Sequence, residues 1–302
     1  MIHLRLFSSL LAATLLSFPA LLQADTVPLV YSTPKGKTVT VEGADSEAIL
    51  LWPGDPKLSA PDGLGIAHVT NRVRIHDITT PHLITYPAPA SKQPTAAVIL
   101  VPGGGYARLV SSKHWPFADF LLEQGIRPFI LHYRCPSNKK KIGLLQDIQR
   151  AIRIVRSRAQ EFNIDPDRLG LLGTSAGGHL SARANGSFAT TSYEPRDQHD
   201  RVSAKPDFVC LLYPAYLKYE EKLHSSIQVS RDLSPTLILT AKDDHDYFPN
   251  SPFYEDKLKE LGVDVQSHYF EEGRHGFFLG SRGVELLPEL LTNWLKAQGA
   301  IR

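Results

Sequence analysis

From residue 95 onward the chain alternates short apolar runs with amphipathic stretches. The runs TAAVILV (95–101), IRPFILHY (126–133), RLGLLG (168–173), DFVCLLY (207–213), TLILTA (236–241) and DVQSHYF (264–270) are of strand length and mostly apolar, the pattern of strands covered on both faces. Between the second and third, Leu145, Ile148, Ile152, Val155, Ala159 and Phe162 recur at steps of three and four, which predicts one helix with an apolar stripe, ending before a turn at DPD (165–167). Leu287, Leu290, Leu291, Trp294 and Leu295 repeat the device near the C-terminus. Strands separated by amphipathic helices predict an α/β architecture, a mostly parallel central sheet with helices on both faces. In such a sheet ligands sit beyond the carboxyl ends of the strands, so that edge is where chemistry is expected.

The first 94 residues read differently. MIHLRLFSSLLAATLLSFPALLQADT places Arg5 ahead of an apolar stretch broken by Pro19 and followed by the small residue Ala24, the pattern of a cleaved secretory signal over residues 1–24, with cleavage after Ala20 as an alternative. The unbroken apolar run is shorter than the roughly 20 residues a bilayer needs, so no stable membrane insertion is expected after cleavage, and the expected location is secreted or periplasmic. Residues 25–302 fit a single α/β domain: a lead-in of strands and proline-rich loops over 25–94, then a core over 95–302.

Charge and cysteine content narrow the chemistry. The formal charge of +2 becomes +1 once Arg5 is removed, too close to neutral to suggest nucleic acid or an anionic membrane as partner. Only Cys135 and Cys210 are present, each in or beside an apolar run, and they read as two buried free thiols with no metal knuckle.

Ser175 lies in GTSAG, directly after the run RLGLLG and directly before the helical stretch SAGGHLSARA. That is the strand-to-helix turn required by the elbow G-x-S-x-G, in which Gly173 and Gly177 let strand and helix cross closely. A serine hydroxyl needs a base to take its proton, and a histidine held by a carboxylate is the usual answer, here expected in the chain order serine, acid, histidine. Two later runs end in candidates: TLILTA leads into KDDHDYF, and DVQSHYF into EEGRHGF. His275, in the loop after the last run and followed by Gly276, is the expected base; His268 within the run and His179 on the helix read as structural. Asp244 is the favoured acid, with Asp243 and Asp246 as alternatives because strand ends are uncertain by two or more residues. The run DDHD carries metal-ligand types, but one short loop offers few converging directions, so no metal is expected. The glycines of VPGGGY (101–106) let backbone N–H groups face the site, and the expected oxyanion donors are Gly104, Gly105 and Ala176. A phosphate loop is the competing reading of those glycines, but neither G-K-[ST] nor G-x-G-x-x-G forms.

Together these stretches resemble the α/β-hydrolase superfamily and, within it, the secreted bacterial acetyl esterase/lipase group that includes acetyl xylan and feruloyl esterase-like proteins. VPGGGY resembles that group's oxyanion loop, DIQRAIRIVRSRAQEFNIDPDRLGLLGTSAGGHL its helix, turn and elbow, and EEGRHGF its histidine loop. The resemblance implies the α/β-hydrolase fold and a serine carboxylesterase acting on short-chain acyl esters of small molecules or carbohydrates, with Ser175, His275 and Asp244 as its triad and no cofactor. Two departures stand out: Pro102 replaces the histidine many relatives carry before the glycines, and His245 and Asp246 follow Asp244 where relatives commonly have an apolar residue. Residues 214–234 form a short insertion where larger relatives carry a lid. Tyr106, Trp115, Tyr213 and Tyr216 are candidates for lining an acyl or sugar pocket, with ordinary packing as the alternative. A peptidase using the same machinery and a catalytically silent binding module are the competing readings.

Overall fold

The computed structural model describes residues 26–28, 30–32, 38–40, 47–55, 58, 64, 66–69, 73–136 and 142–302. The expected signal segment and its cleavage sites lie outside them.

Nine strands form one sheet: β1 (Thr26–Pro28), β2 (Glu47–Leu50), β3 (His82–Thr85), β4 (Thr95–Val101), β5 (Arg127–His132), β6 (Ile164–Thr174), β7 (Phe208–Leu212), β8 (Thr236–Ala241) and β9 (Val265–Phe270). Their spatial order is β1-β2-β3-β5-β4-β6-β7-β8-β9. From β5 to β9 every neighbour is parallel, whereas β1, β2 and β3 from the lead-in add an antiparallel flank. Each predicted run is therefore a strand. A second sheet of four short strands, Val30–Ser32, Thr38–Thr40, Ile66–Val69 and Val73–His76, is also built from the lead-in.

The core lies where the apolar runs are most continuous. Every residue of β4, β7 and β8 is buried, and burying a single Leu, Ile or Val contributes roughly 1.5–3 kcal/mol. β9 departs from the expectation of two covered faces: it is the sheet edge, and only Phe270 is fully buried. Its polar residues Gln266, Ser267 and His268 are the sequence mark of that half-covered position.

The helices are α1 (Trp115–Glu123), α2 (Ile142–Ser157), α3 (Ala176–Gly186), α4 (Asn250–Glu260) and α5 (Leu287–Ala297). The predicted stripe helix is broken after Ser157 and followed by a separate single turn, Ala159–Phe162, which Asn163 closes in a left-handed conformation. The expected turn at 165–167 is instead part of β6. Ile164 pairs with Thr95, the register then shifts before Leu169, and the Asp165 carboxylate accepts the N–H of Asp167. An aspartate that satisfies its own backbone lets a strand carry this irregularity without losing pairing on either side.

The polar side of α2 is not solvated. Arg150, Arg153 and Arg156 are all buried beneath the segment 187–207. Arg150 pairs with Asp197 and Asp200; Arg153 donates to Val202 O, Tyr193 Oη and Thr191 Oγ1; Arg156 donates to Ser203 O and Asp207. Cys135 and Cys210 are buried and unbridged.

Candidate active site

The chain leaves β6 at Thr174 and enters α3 at Ala176, so Ser175 takes the whole turn, with φ 53° and ψ −119°. A non-glycine residue held there costs on the order of 1–3 kcal/mol, and persists only where its surroundings over-determine it. Three backbone hydrogen bonds do so: Ser175 N–H donates to Leu212 O at 3.0 Å, and Ser175 O accepts from His179 N–H and Ala215 N–H, each at 3.1 Å. The flanking glycines are sterically required. A Cβ on Gly177 would stand 2.0 Å from Val101 O, and one on Gly173 2.4 Å from Gly177 O.

Ser175 Oγ lies 2.8 Å from His275 Nε2, and His275 Nδ1 lies 2.6 Å from Asp244 Oδ2. Three side chains from three separate loops, following β6, β8 and β9, thus form one hydrogen-bonded chain at the carboxyl edge of the sheet. The Asp244 side chain is almost wholly buried while His275 is about one-third exposed. The imidazole is flanked by the rings of Tyr213 and Tyr247, at centroid distances of 5.1 and 4.6 Å. The other two aspartates have different surroundings. Asp243 accepts the N–H groups of Gly273 and Arg274, organising the histidine loop, and Asp246 is exposed. Lys113 ties the same loop down by donating to Gly276 O.

The glycine loop closes the site from the side of β4. Gly104 and Gly105 have φ of +142° and +67°, and a Cβ on Gly104 would stand 2.1 Å from Arg108 O. Gly103 N–H is already engaged by Thr174 Oγ1 at 3.0 Å, which sets the loop against the elbow. Pro102, the residue in place of the relatives' histidine, is anchored through its carbonyl, which accepts from the Tyr133 hydroxyl at 2.7 Å. Ala176 is the first residue of α3, where backbone N–H groups lack helical partners.

These elements surround a cleft of about 370 Å³ that includes Ser175, His275, the three glycines, Tyr213 and Tyr216. Burial and the neighbouring Tyr247 hold the Tyr216 phenol above its ordinary pKa. Two of the four predicted aromatics are elsewhere. Trp115 opens α1 outside the cleft, and Tyr106 is buried beneath the glycine loop, its hydroxyl 2.5 Å from His179 Nδ1. His179 also reaches Ser226 Oγ at 3.0 Å, so it braces the glycine loop against the insertion 214–234, which folds as a small hairpin, Lys218–Tyr219 with Lys222–Leu223. His268 sits in β9 beside Phe270. Sequence reasoning missed Arg74, Arg108, Lys113 and Tyr247 in the cleft wall. Only Tyr247, three residues past Asp244, had a positional signal. Among the described residues, no three His, Cys, Asp or Glu side chains are grouped so as to hold a metal ion, and no helix is long and apolar enough to cross a membrane.

The BD-FAE family model matches residues 83–210, the stretch that carries the glycine loop and the elbow. An acetylxylan esterase from Xylanibacter ruminicola is 30% identical over 220 residues, which are 67% of this chain and 45% of that protein. The crystal structure of an acetyl ester-xyloside bifunctional hydrolase from Caldicellulosiruptor lactoaceticus is 30% identical, with a TM-score of 0.69 over 84% of this chain and 97% of that one. The chain belongs to the α/β-hydrolases. An esterase from Thermogutta terrifontis, 21% identical with a TM-score of 0.67 over 86% of this chain and 96% of that one, shares the fold. The chain spans less than half the length of the acetylxylan esterase it matches.

Proposed function

We propose that this α/β-hydrolase is a serine carboxylesterase acting on short-chain, chiefly acetyl, esters of small molecules or carbohydrates. One observation carries the reading: the hydrogen-bonded chain Ser175–His275–Asp244 opens into a cleft at the strained turn between β6 and α3. Ser175 Oγ attacks the ester carbonyl while His275 Nε2 takes its proton, and Asp244 holds Nδ1 so that the imidazole keeps its orientation and its positive charge is stabilised. The N–H groups of Gly104, Gly105 and Ala176 receive the oxyanion, each worth about 3 kcal/mol to the transition state. His275 then protonates the leaving alcohol. Water, deprotonated by the same imidazole, cleaves the acyl-enzyme, releases the carboxylic acid and restores Ser175. The acetyl preference is supported by the related acetylxylan esterase and acetyl ester-xyloside hydrolase. In the same reading residues 1–24 are a secretory signal, and residues 25–302 form one secreted or periplasmic domain.

The test compares the wild type with Ser175→Ala on 4-nitrophenyl acetate and with a fluorophosphonate label. Turnover and labelling by the wild type are expected, and the variant loses both, turnover by at least about 10³-fold. A wild type that neither labels nor hydrolyses the ester, or a variant that keeps its activity, overturns the reading.

A further inference from the structure

The cleft wall carries a charge pattern that ester hydrolysis does not by itself require. Arg74, Arg108 and Lys113 line it together with Ser175 and His275, and among the described residues no Asp or Glu does. Backbone pairing explains how two arginines from segments 34 residues apart converge. Ile75 and Leu109 exchange both backbone hydrogen bonds at 2.9 Å, joining the second sheet to the glycine loop, and both side chains are fully buried. In extended chains alternate side chains face opposite ways, so Arg74, Arg108 and Val110 project from the other face, which is the cleft wall. Among the described residues no carboxylate forms an ion pair with Arg74 or Arg108, although seven other arginines have such partners. Lys113 donates to Gly276 O at the same wall.

Resting on the esterase reading, we infer that Arg74 and Arg108, with Lys113, form a subsite for a carboxylate carried by the ester substrate, so that the preferred substrates are anionic esters. Guanidinium groups present paired N–H donors that match a carboxylate, and charge-assisted hydrogen bonds are about twice as strong as neutral ones. The carboxylate can belong to the acyl group, as in a dicarboxylic half-ester, or to the alcohol, as in an acylated uronic acid. Both present the same group to the same wall.

Two matched pairs of esters separate these sources. For the acyl side, 4-nitrophenyl hemisuccinate is compared with 4-nitrophenyl butyrate; for the alcohol side, 4-acetoxybenzoate with 4-acetoxybenzamide. In at least one pair, kcat/KM for the anionic ester is expected to exceed that of its neutral counterpart by about tenfold at low salt, and the ratio to fall as sodium chloride is added. Arg74→Gln and Arg108→Gln each reduce that ratio, whereas Arg108→Lys keeps most of it, which separates loss of charge from loss of packing. If neutral esters are hydrolysed while both ratios are one or below, or if the glutamine variants leave the ratio unchanged, the inference is overturned and the esterase reading stands. If none of the four esters is hydrolysed, both are overturned.

Discussion

At the scale of single residues, the three neighbouring aspartates of the loop after β8 divide three tasks that their spacing alone left open. Asp244 meets His275, Asp243 holds the backbone of the histidine loop, and Asp246 faces solvent. A carboxylate fixing Nδ1–H of the base is worth about 10⁴ in kcat when replaced by its amide, because the imidazole then takes the wrong tautomer. Asp244→Asn is accordingly expected to lower kcat by several orders of magnitude with KM little changed. Asp243→Asn keeps an acceptor for Gly273 and Arg274 and is expected to cost less than about tenfold, while Asp246→Asn should be neutral. Steady-state kinetics on one chromogenic ester checks all three; equal losses at positions 243 and 244 would contradict the division. The order serine, acid, histidine was legible because each candidate follows an apolar run. Which aspartate meets the imidazole was not, since a shift of one residue at a strand end decides it.

At the scale of elements, periodicity identified what is apolar, and missed what is polar but buried. The six runs are strands and the C-terminal stripe is α5, because continuous apolar segments have few alternatives to a covered sheet or a helix face. The other side of α2, by contrast, reads as solvated arginine until residues 187–207 are seen to cover it. Arg74 was invisible for the same reason: its place in the cleft depends on the bridge between Ile75 and Leu109, which no local pattern announces. The buried arginines have an energetic consequence. Arg150 is 1% exposed and Asp200 side-chain exposure is equally small, so removing the cation strands a carboxylate away from water, which costs about 3–5 kcal/mol. Arg150→Met should therefore shift the denaturant midpoint strongly. Arg158→Met, which breaks the pair with the exposed Glu161, should cost no more than about 1 kcal/mol. Similar midpoints for the two variants would show that segment 187–207 is not held by the ion pairs.

At the scale of the whole molecule, the sheet beneath the cleft is built around imidazoles that burial keeps neutral. His82 on β3 and His132 on β5 are cross-strand partners with ring centroids 5.0 Å apart, and Ser111 Oγ lies 2.8 Å from His132 Nε2. His114, just before α1, has its Nε2 3.2 Å from Thr174 Oγ1, the hydroxyl that holds Gly103 against the elbow. Burial pushes His82 and His114 down to about 4, and His132 well below the usual imidazole range, with its histidine neighbours adding to the effect. Above pH about 6.5 all three are neutral whether the chain is folded or unfolded, and nothing is lost. As pH falls through that value the unfolded chain binds protons that the folded chain refuses, so stability declines by about 1.4 kcal/mol per pH unit for each histidine, until His82 and His114 begin to protonate in the folded state near pH 4. Asp147 and Asp207, whose carboxyls burial holds above the ordinary value, act in the opposite sense, since protonation relieves them as pH falls. Wherever the folded chain takes up their protons ahead of the unfolded one they offset part of the histidine effect, so the observed slope is the net of the two. Chemical denaturation between pH about 6.5 and 5 should show the folding free energy falling as pH falls, with a net uptake of protons on unfolding; His199, also held below the usual imidazole range by burial, acts in the same sense as the other three. A slope near zero would mean that these imidazoles are charged or solvated in the native protein, and the arrangement that links them through Thr174 to the glycine loop would have to be abandoned.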